Sequence, residues 1–354
     1  MNVVVCWLGM QGYVAACLRE LNRRPDLTLH VLHLDFKDTP KREELLGSIS
    51  NRRYVASQHN GEIADDVARR KPDVVLLCGW YYGPYRRLVN HPALAGTRFV
   101  LGMDTPWTGA LRQRLNRFLL RGFMQRMDQV IVAGLRSADF ARRIDATPGK
   151  IVTGLYGFDY ERFADAAESR SHAEWPRRFL FAGRYVPVKG IDTLLDAYRR
   201  YRQSVSDPWP INFAGTGPDA QLLHGQSGVT NIGYVQPSAL PALFADHGVF
   251  IMPSREEPWG VAIAEAAAAG LPLICTEVCG AASDLLRQYY NGLTVPPDDP
   301  QLLAAAMLWT HQHHERLREM GGRSRELARP FSAEAWAERV HACFERALAL
   351  PRTG

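Results

Sequence analysis

Short apolar runs alternate with helix-period segments along the first half of the chain. The runs at 3–8, 29–34, 74–78, 98–102 and 129–133 predict strands, and 13–22, 62–70 and 111–126 between them predict helices. Alternation at this spacing implies a parallel sheet with right-handed crossovers. A polar stretch at 164–178, ADAAESRSHAEWPRR, interrupts the pattern and reads as an interdomain linker. Beyond it the alternation resumes, with strands expected at 178–182, 211–214, 249–252 and 272–276 and helices at 191–204 and 260–269. A last helical segment, 333–350, places Trp336, Val340, Phe344 and Leu348 at helix spacing. No internal repeat or low-complexity segment interrupts the series.

A chain of 354 residues exceeds what one hydrophobic core organises. The expected division is an N-terminal α/β domain over 1–165, a C-terminal α/β domain over 166–332, and a helix over 333–354 that returns to the first domain. The composition, 46% hydrophobic and 22% charged, is that of a globular protein. No apolar run approaches the roughly 20 residues that span a bilayer. The opening MNVVVCWLG lacks a basic n-region and reads as a first strand, not a signal peptide. Six scattered cysteines sit in apolar patterns, as expected of reduced thiols in a cytoplasmic protein. Cys275 and Cys279 lie four apart with no histidine or second cysteine pair near them, so no zinc site is expected. Residues 1–165 hold 24 Lys and Arg against 17 Asp and Glu, or +7, and the remainder 18 against 20, or −2. The basic half fits either an anionic partner or simply an arginine-rich surface.

The most informative stretch is Ser254-Arg-Glu-Glu-Pro-Trp-Gly-Val-Ala-Ile-Ala-Glu265, followed by four alanines and Gly270. A strand ends in a polar loop carrying Glu257, and a helix that begins near Gly260 carries Glu265. In an open parallel sheet, ligands bind beyond the carboxyl ends of the strands, at helix N-termini. A carboxylate accepts two hydroxyls at once, which suits the vicinal diol of a sugar or ribose. The plainer alternative is a surface helix with solvated glutamates, although Glu265 between Ala264 and Ala266 in an apolar helix asks for a specific reason.

This stretch resembles the glutamate–seven–glutamate motif of family 4 glycosyltransferases, which adopt the GT-B fold. Phe181-Ala-Gly183-Arg184-Tyr-Val-Pro-Val-Lys189-Gly resembles the family's strand and basic loop. Ala214-Gly215-Thr-Gly217-Pro resembles its glycine turn, and Asn231-Ile-Gly-Tyr-Val the next strand. Cys279-Gly280, Asn291-Gly-Leu-Thr-Val-Pro and, upstream, Leu155-Tyr-Gly-Phe-Asp159 with Phe163 continue the order. The resemblance covers 151–300 closely and 1–150 weakly. It implies two Rossmann-like domains facing a central cleft. It also implies a retaining transferase that moves a sugar from a nucleoside diphosphate to a glycan, lipid-linked or small-molecule hydroxyl, in surface polysaccharide or glycoconjugate biosynthesis. Within it, Arg184 and Lys189 would stabilise the diphosphate, Glu257 would bind the transferred sugar and Glu265 the ribose. Gly183, Gly215, Gly217, Trp259, Gly260, Val261 and the amides around Gly280 would complete the donor site. The family has two glycines where this chain has Gly280-Ala281, which leaves the sugar open.

In the first half, Gly9-Met-Gln-Gly12-Tyr13 resembles the family's glycine loop and equally fits a plain tight turn. Many relatives place a histidine after the fourth or fifth strand, where this chain has Met103 and Asp104. Asp104 suits an acceptor hydroxyl or a turn cap before Pro106. Trp80, Tyr81, Tyr82, Tyr85 and Trp107 form a candidate acceptor platform or pack under loops. No D-x-D triplet occurs in the sequence, so cationic side chains rather than a metal are expected on the diphosphate, and no cofactor is implied. His311, His313 and His314 read as a solvated helix face. Arg114, Arg117 and Arg121 share one face of the helix 111–126, with Leu111, Leu115, Phe118 and Leu119 on another. That pattern fits a helix lying on an anionic membrane, peripheral on its inner face, or an ordinary helix with a charged outer face. A GT-B nucleotide-sugar epimerase and an inactive nucleotide-sugar-binding protein are the rival functions. The G-x-x-G spacing speaks against a nicotinamide dehydrogenase, and nothing reads nucleic-acid bases.

Overall fold

The computed structural model describes residues 1–35, 43–55, 62–168 and 174–351. They form two compact units, Met1–Phe158 with Ser332–Gly354, and Asp159–Phe331.

The first unit is a seven-stranded sheet. Its strands are β1 (Asn2–Leu8), β2 (Thr28–Asp35), β3 (Ser50–Val55), β4 (Val74–Cys78), β5 (Arg98–Met103), β6 (Gln129–Val132) and β7 (Ile151–Thr153). The order is β3-β2-β1-β4-β5-β6-β7, every pair parallel. Val3 to Cys6 on β1 and Val74 to Leu77 on β4 are buried, so the centre of the sheet is apolar on both faces. β3 and β7 escape the sequence pattern because they are edge strands. β3, SNRRYV, buries only Tyr54, and β7 spans three residues.

The C-terminal helix Ala333–Ala349 belongs to this unit and packs on the helix Gly12–Asn22. It buries Trp336, Val340, Phe344 and Ala347, while Leu348 turns outward at 40% exposure. Trp336 Nε1 donates to the Leu155 carbonyl at 2.6 Å. Gly157 makes room for it, because a Cβ there would stand 2.7 Å from Trp336 Cβ. Ser332 caps the helix by accepting from the Ala335 amide at 3.1 Å.

The second unit is a six-stranded sheet of β8 (Phe179–Ala182), β9 (Ile211–Ala214), β10 (Val229–Gly233), β11 (Val249–Met252), β12 (Leu273–Thr276) and β13 (Gly292–Val295). Its order is β10-β9-β8-β11-β12-β13, again wholly parallel. The stretch expected as a linker departs from that expectation at its start. A helix, Tyr160–Glu168, runs into it and belongs to the second unit, burying Tyr160, Phe163, Ala164 and Ala167. That stripe has helical spacing, but the charged residues between its members mask it. Residues 169–173 lie outside the described residues.

In both units the strand order reverses once, at β1/β4 and at β8/β11. Such reversals open a crevice beyond the carboxyl ends of the strands. The loops that leave those ends carry most of the candidate chemistry.

Candidate functional site

In the second unit, β8 ends in Gly183-Arg184 and a 3-10 turn, Pro187–Lys189, before the helix Ile191–Gln203. Gly190 closes that turn at φ +66°, and a Cβ there would stand 2.4 Å from the Pro253 carbonyl oxygen. The turn is thereby pressed onto the loop that leaves β11, which carries Glu257. Lys189 Nζ and the Glu257 carboxylate are ion-paired, each side chain about an eighth exposed at 12%. Glu257 in turn lies against the helix cap Gly260 (φ +96°), where a Cβ would be 3.0 Å from Glu257 Cγ.

Arg255 secures this arrangement. Its Nη2 bonds Asp192 at 2.8 Å and Thr193 at 3.1 Å, its Nε bonds Asp298 at 2.6 Å, and its Nη1 donates to the Pro187 carbonyl at 2.5 Å. Its own amide donates to the Val188 carbonyl at 2.8 Å. The Arg255 guanidinium holds the Asp192 carboxyl below the ordinary range and is itself raised by it. Sequence reasoning missed this residue, because its partners lie 43 and 63 positions away.

Beside the pair lies a cavity of about 300 Å³ lined by Arg184, Thr216, Tyr234, Phe244, Ala262 and Glu265, among others. Glu265, part-buried, lines it from the helix Val261–Ala268, whose buried face is Ile263 and alanines. Burial pushes its carboxyl up to about 7, with Arg162 pulling the other way. Val261 and Ala262 open that helix, where amides lack partners inside the helix and face anions favourably. Arg184 is exposed and lines the same cavity. Arg184 and Glu265 therefore meet at one cavity, and Lys189 and Glu257 form a pair next to the cap of the helix that carries Glu265.

Other expected donor residues serve packing. Gly215 lines the cavity, yet its absent Cβ is needed because one would fall 1.8 Å from the Gly183 carbonyl oxygen. Gly217 is held 2.1 Å from the Tyr185 carbonyl oxygen by the same measure. Trp259 is buried against Phe331, ring centroids 5.3 Å apart, and so presents no binding face. The amides expected to meet a sugar are already engaged: Gly280 donates to the Glu257 carbonyl at 3.0 Å and Ala281 to that of Trp259 at 2.8 Å. Gly280 is required there, since a Cβ would stand 2.0 Å from the Pro258 carbonyl oxygen.

In the first unit, Gly9 (φ +72°) and Gly12 leave open space where a side chain would be, just past β1. At the β1/β4 reversal a cavity of about 130 Å³ gathers Trp7, Trp80, Tyr81, Asp104 and Tyr156. Tyr156 donates to Asp104 Oδ2 at 2.8 Å and meets the Tyr13 ring edge-on at 5.8 Å. Burial, with the Asp104 charge after it, raises the Tyr156 phenol well above its usual range. Tyr156 sits within the quoted Leu155–Asp159 motif but was not singled out, and its aromatic neighbours were the available signal. Two expectations are corrected here. Trp107 stacks on Phe140 away from this cavity, and Tyr85 is a core residue. Of the pair Met103 and Asp104, Met103 is buried and Asp104 lines the cavity.

Among the described residues no group of three His, Cys, Asp or Glu side chains is gathered as a metal site, and all six cysteines are buried thiols. His311 and His313 are not a solvated face: His311 hydrogen-bonds Tyr201 at 2.8 Å and His313 stacks on Trp309 at 4.3 Å. No helix of the described residues is long and apolar enough to cross a membrane.

Residues 176–313 match the family described as Glycosyl transferases group 1. D-rhamnosyltransferase WbpZ of Pseudomonas aeruginosa is 28% identical over 255 residues, 65% of this chain and 64% of that protein. The glycogen synthase of Mycobacterium tuberculosis is 26% identical over 258 residues, 67% of this chain and 59% of that protein. The chain thus spans less than two thirds of the length of these curated relatives. Among solved structures, Anabaena Alr3699/HepE in complex with UDP and glucose superposes with a TM-score of 0.73 at 16% identity, covering 97% of this chain and 98% of that one. The match assigns residues 176–313 to the group 1 glycosyltransferase family, and the two doubly wound sheets share the GT-B fold of this solved structure.

Proposed function

We propose that the protein transfers a sugar from a nucleoside diphosphate to a hydroxyl of a glycan, lipid-linked or small-molecule acceptor, with retention and without a metal ion. The observation that carries this reading is the Lys189–Glu257 pair set beside the cavity that holds Arg184 and Glu265. The cavity takes the nucleoside, with Glu265 on its ribose diol. The diphosphate lies toward Arg184, Lys189 and the opening amides of the helix Val261–Ala268. As the bond from the anomeric carbon to the diphosphate breaks, negative charge grows on the departing oxygen, and fixed cations lower that barrier. The acceptor hydroxyl attacks from the same face and passes its proton to that oxygen, so no separate base is needed. Glu257 holds the sugar hydroxyls and keeps Lys189 in place until the donor arrives. Asp104, Tyr156, Trp80 and Tyr81 supply a polar and aromatic acceptor pocket in the first unit. The names of relatives such as D-rhamnosyltransferase WbpZ support a place in the synthesis of surface glycans.

The test incubates the protein with a panel of nucleotide sugars and acceptors and follows release of nucleoside diphosphate, with and without a chelator. Release is expected to continue with the chelator present. Lys189→Ala and Glu257→Ala should each lower it at least about tenfold, since a charged contact is worth roughly 1.5–3 kcal/mol. A strict metal requirement, or near-normal turnover in both variants, overturns the reading.

A further inference from the structure

The segment expected as one helix over 111–126 is two, Leu111–Leu119 and Arg121–Gln125, and the first is inside out. Its uncharged polar residues, Gln113 and Asn116, face the protein. Asn116 is buried, and Gln113 accepts from the Thr108 amide at 2.7 Å and donates to the Pro106 carbonyl at 2.8 Å. Its apolar residues face outward, with Leu111 72%, Leu115 50%, Phe118 75% and Leu119 69% exposed. At about 100° per residue these four share a single arc, with Arg112 and Arg114 at its two edges. The outer side is therefore an apolar arc edged by exposed arginines, not a charged face alone.

Next to the helix lies an open basin of about 500 Å³ walled by Trp107, Arg114, Arg117, Arg142, Arg143 and Asp145. Two carboxylates answer these arginines: Arg117 meets Asp145 at 3.2 Å and Arg143 meets Asp139 at 2.9 Å. Arg143 also lies over the Trp107 ring, 4.7 Å from its centroid. The guanidinium of Arg142 has no carboxylate partner among the described residues.

We infer that this face docks on an anionic phospholipid bilayer, independently of the donor chemistry. Leu111, Leu115, Phe118 and Leu119 enter the acyl boundary, and the arginine basin receives lipid phosphates. A contiguous exposed apolar patch marks an interaction surface, and an apolar face edged by arginines matches the height at which headgroup phosphates sit. Guanidinium groups bind phosphate through paired donors. A second copy fits less well, because a two-fold contact would bring one arginine rim against another.

The full chain is floated with vesicles of phosphatidylcholine alone and of phosphatidylcholine mixed with phosphatidylglycerol. Binding is expected only to the anionic vesicles and should weaken as salt rises. L115S/F118S should weaken it at least about tenfold, and R142A/R143A should weaken it and flatten the salt dependence. All four side chains lie at the surface, so both variants should keep the parent melting temperature. Equal binding to neutral vesicles, or full binding by L115S/F118S, overturns the inference. So does self-association of the parent in sedimentation velocity without vesicle binding, which would assign the face to a second copy. Displacement by millimolar inorganic phosphate, with no dependence on the apolar face, would make the basin a free-anion site and also overturn it.

Discussion

Glu265 shows how a binding residue costs stability. Its carboxyl titrates near 7 in the fold against 4.5 as the ordinary value, because burial disfavours the charged form. A raised carboxyl binds more protons folded than unfolded between those values. Stability is then full below about pH 4.5, falls as pH rises and is lost above the folded value. The difference amounts to something on the order of 3 kcal/mol at pH 8. Glu265→Gln, which never ionises, should match the parent near pH 4.5 and melt higher than it at pH 8. The same variant should bind nucleoside diphosphates at least about tenfold more weakly, because the amide replaces a charged acceptor. Thermal melts across pH together with titration calorimetry check both halves. A parent and variant with parallel pH profiles would mean that this carboxyl ionises freely. The feature was legible in the sequence as a lone glutamate among alanines. Its partner in the argument, the Lys189–Glu257 pair, was not, because nothing along the chain says that residues 68 apart will be ion-paired.

At the scale of elements, the sequence pattern reported buried structure and passed over exposed structure. β1, β4 and β11 were readable because both faces of each are covered. β3 was not, since an edge strand carrying Arg52 and Arg53 has no apolar period to read. The helix Leu111–Leu119 carried an evident amphipathic pattern, but a pattern cannot state which face turns inward, and here the side with Gln113 and Asn116 does while the leucines and arginines stay exposed. The C-terminal helix is the opposite case: of the stripe its spacing names, Trp336, Val340 and Phe344 are buried and only Leu348 turns outward. Trp336 anchors it, fully packed and hydrogen-bonded to Leu155. Trp336→Ala should cost about 3–5 kcal/mol, the range for emptying a large aromatic site. The first unit, which the helix joins, should bear that loss. Chemical denaturation followed by circular dichroism measures it, and a change below about 1 kcal/mol would show the helix to be dispensable to that unit.

At the scale of the molecule, charge divides more sharply along the observed units than along the expected boundaries. Met1–Phe158 with Ser332–Gly354 holds 26 Lys and Arg against 17 Asp and Glu, or +9, and Asp159–Phe331 holds 16 against 20, or −4. A nucleoside diphosphate is an anion, so net charge alone would send it to the first unit. The local arrangement argues the reverse. The cavity with Arg184 and Glu265 and the helix cap at Gly260 belong to the acidic unit, and fixed donors at short range outweigh a diffuse field screened within about 8–10 Å. Hydrogen exchange of the whole chain with UDP, GDP or ADP distinguishes the two. At least one nucleotide should protect amides in the Gly183–Gly190 and Gly260–Glu265 segments. It should also raise stability by about 2.7 kcal/mol at a hundredfold excess over its dissociation constant. Protection confined to the glycine loop after β1 would instead mean that the net field of the first unit decides where the donor binds. The role assigned to Arg184 and Lys189 would then fall with it.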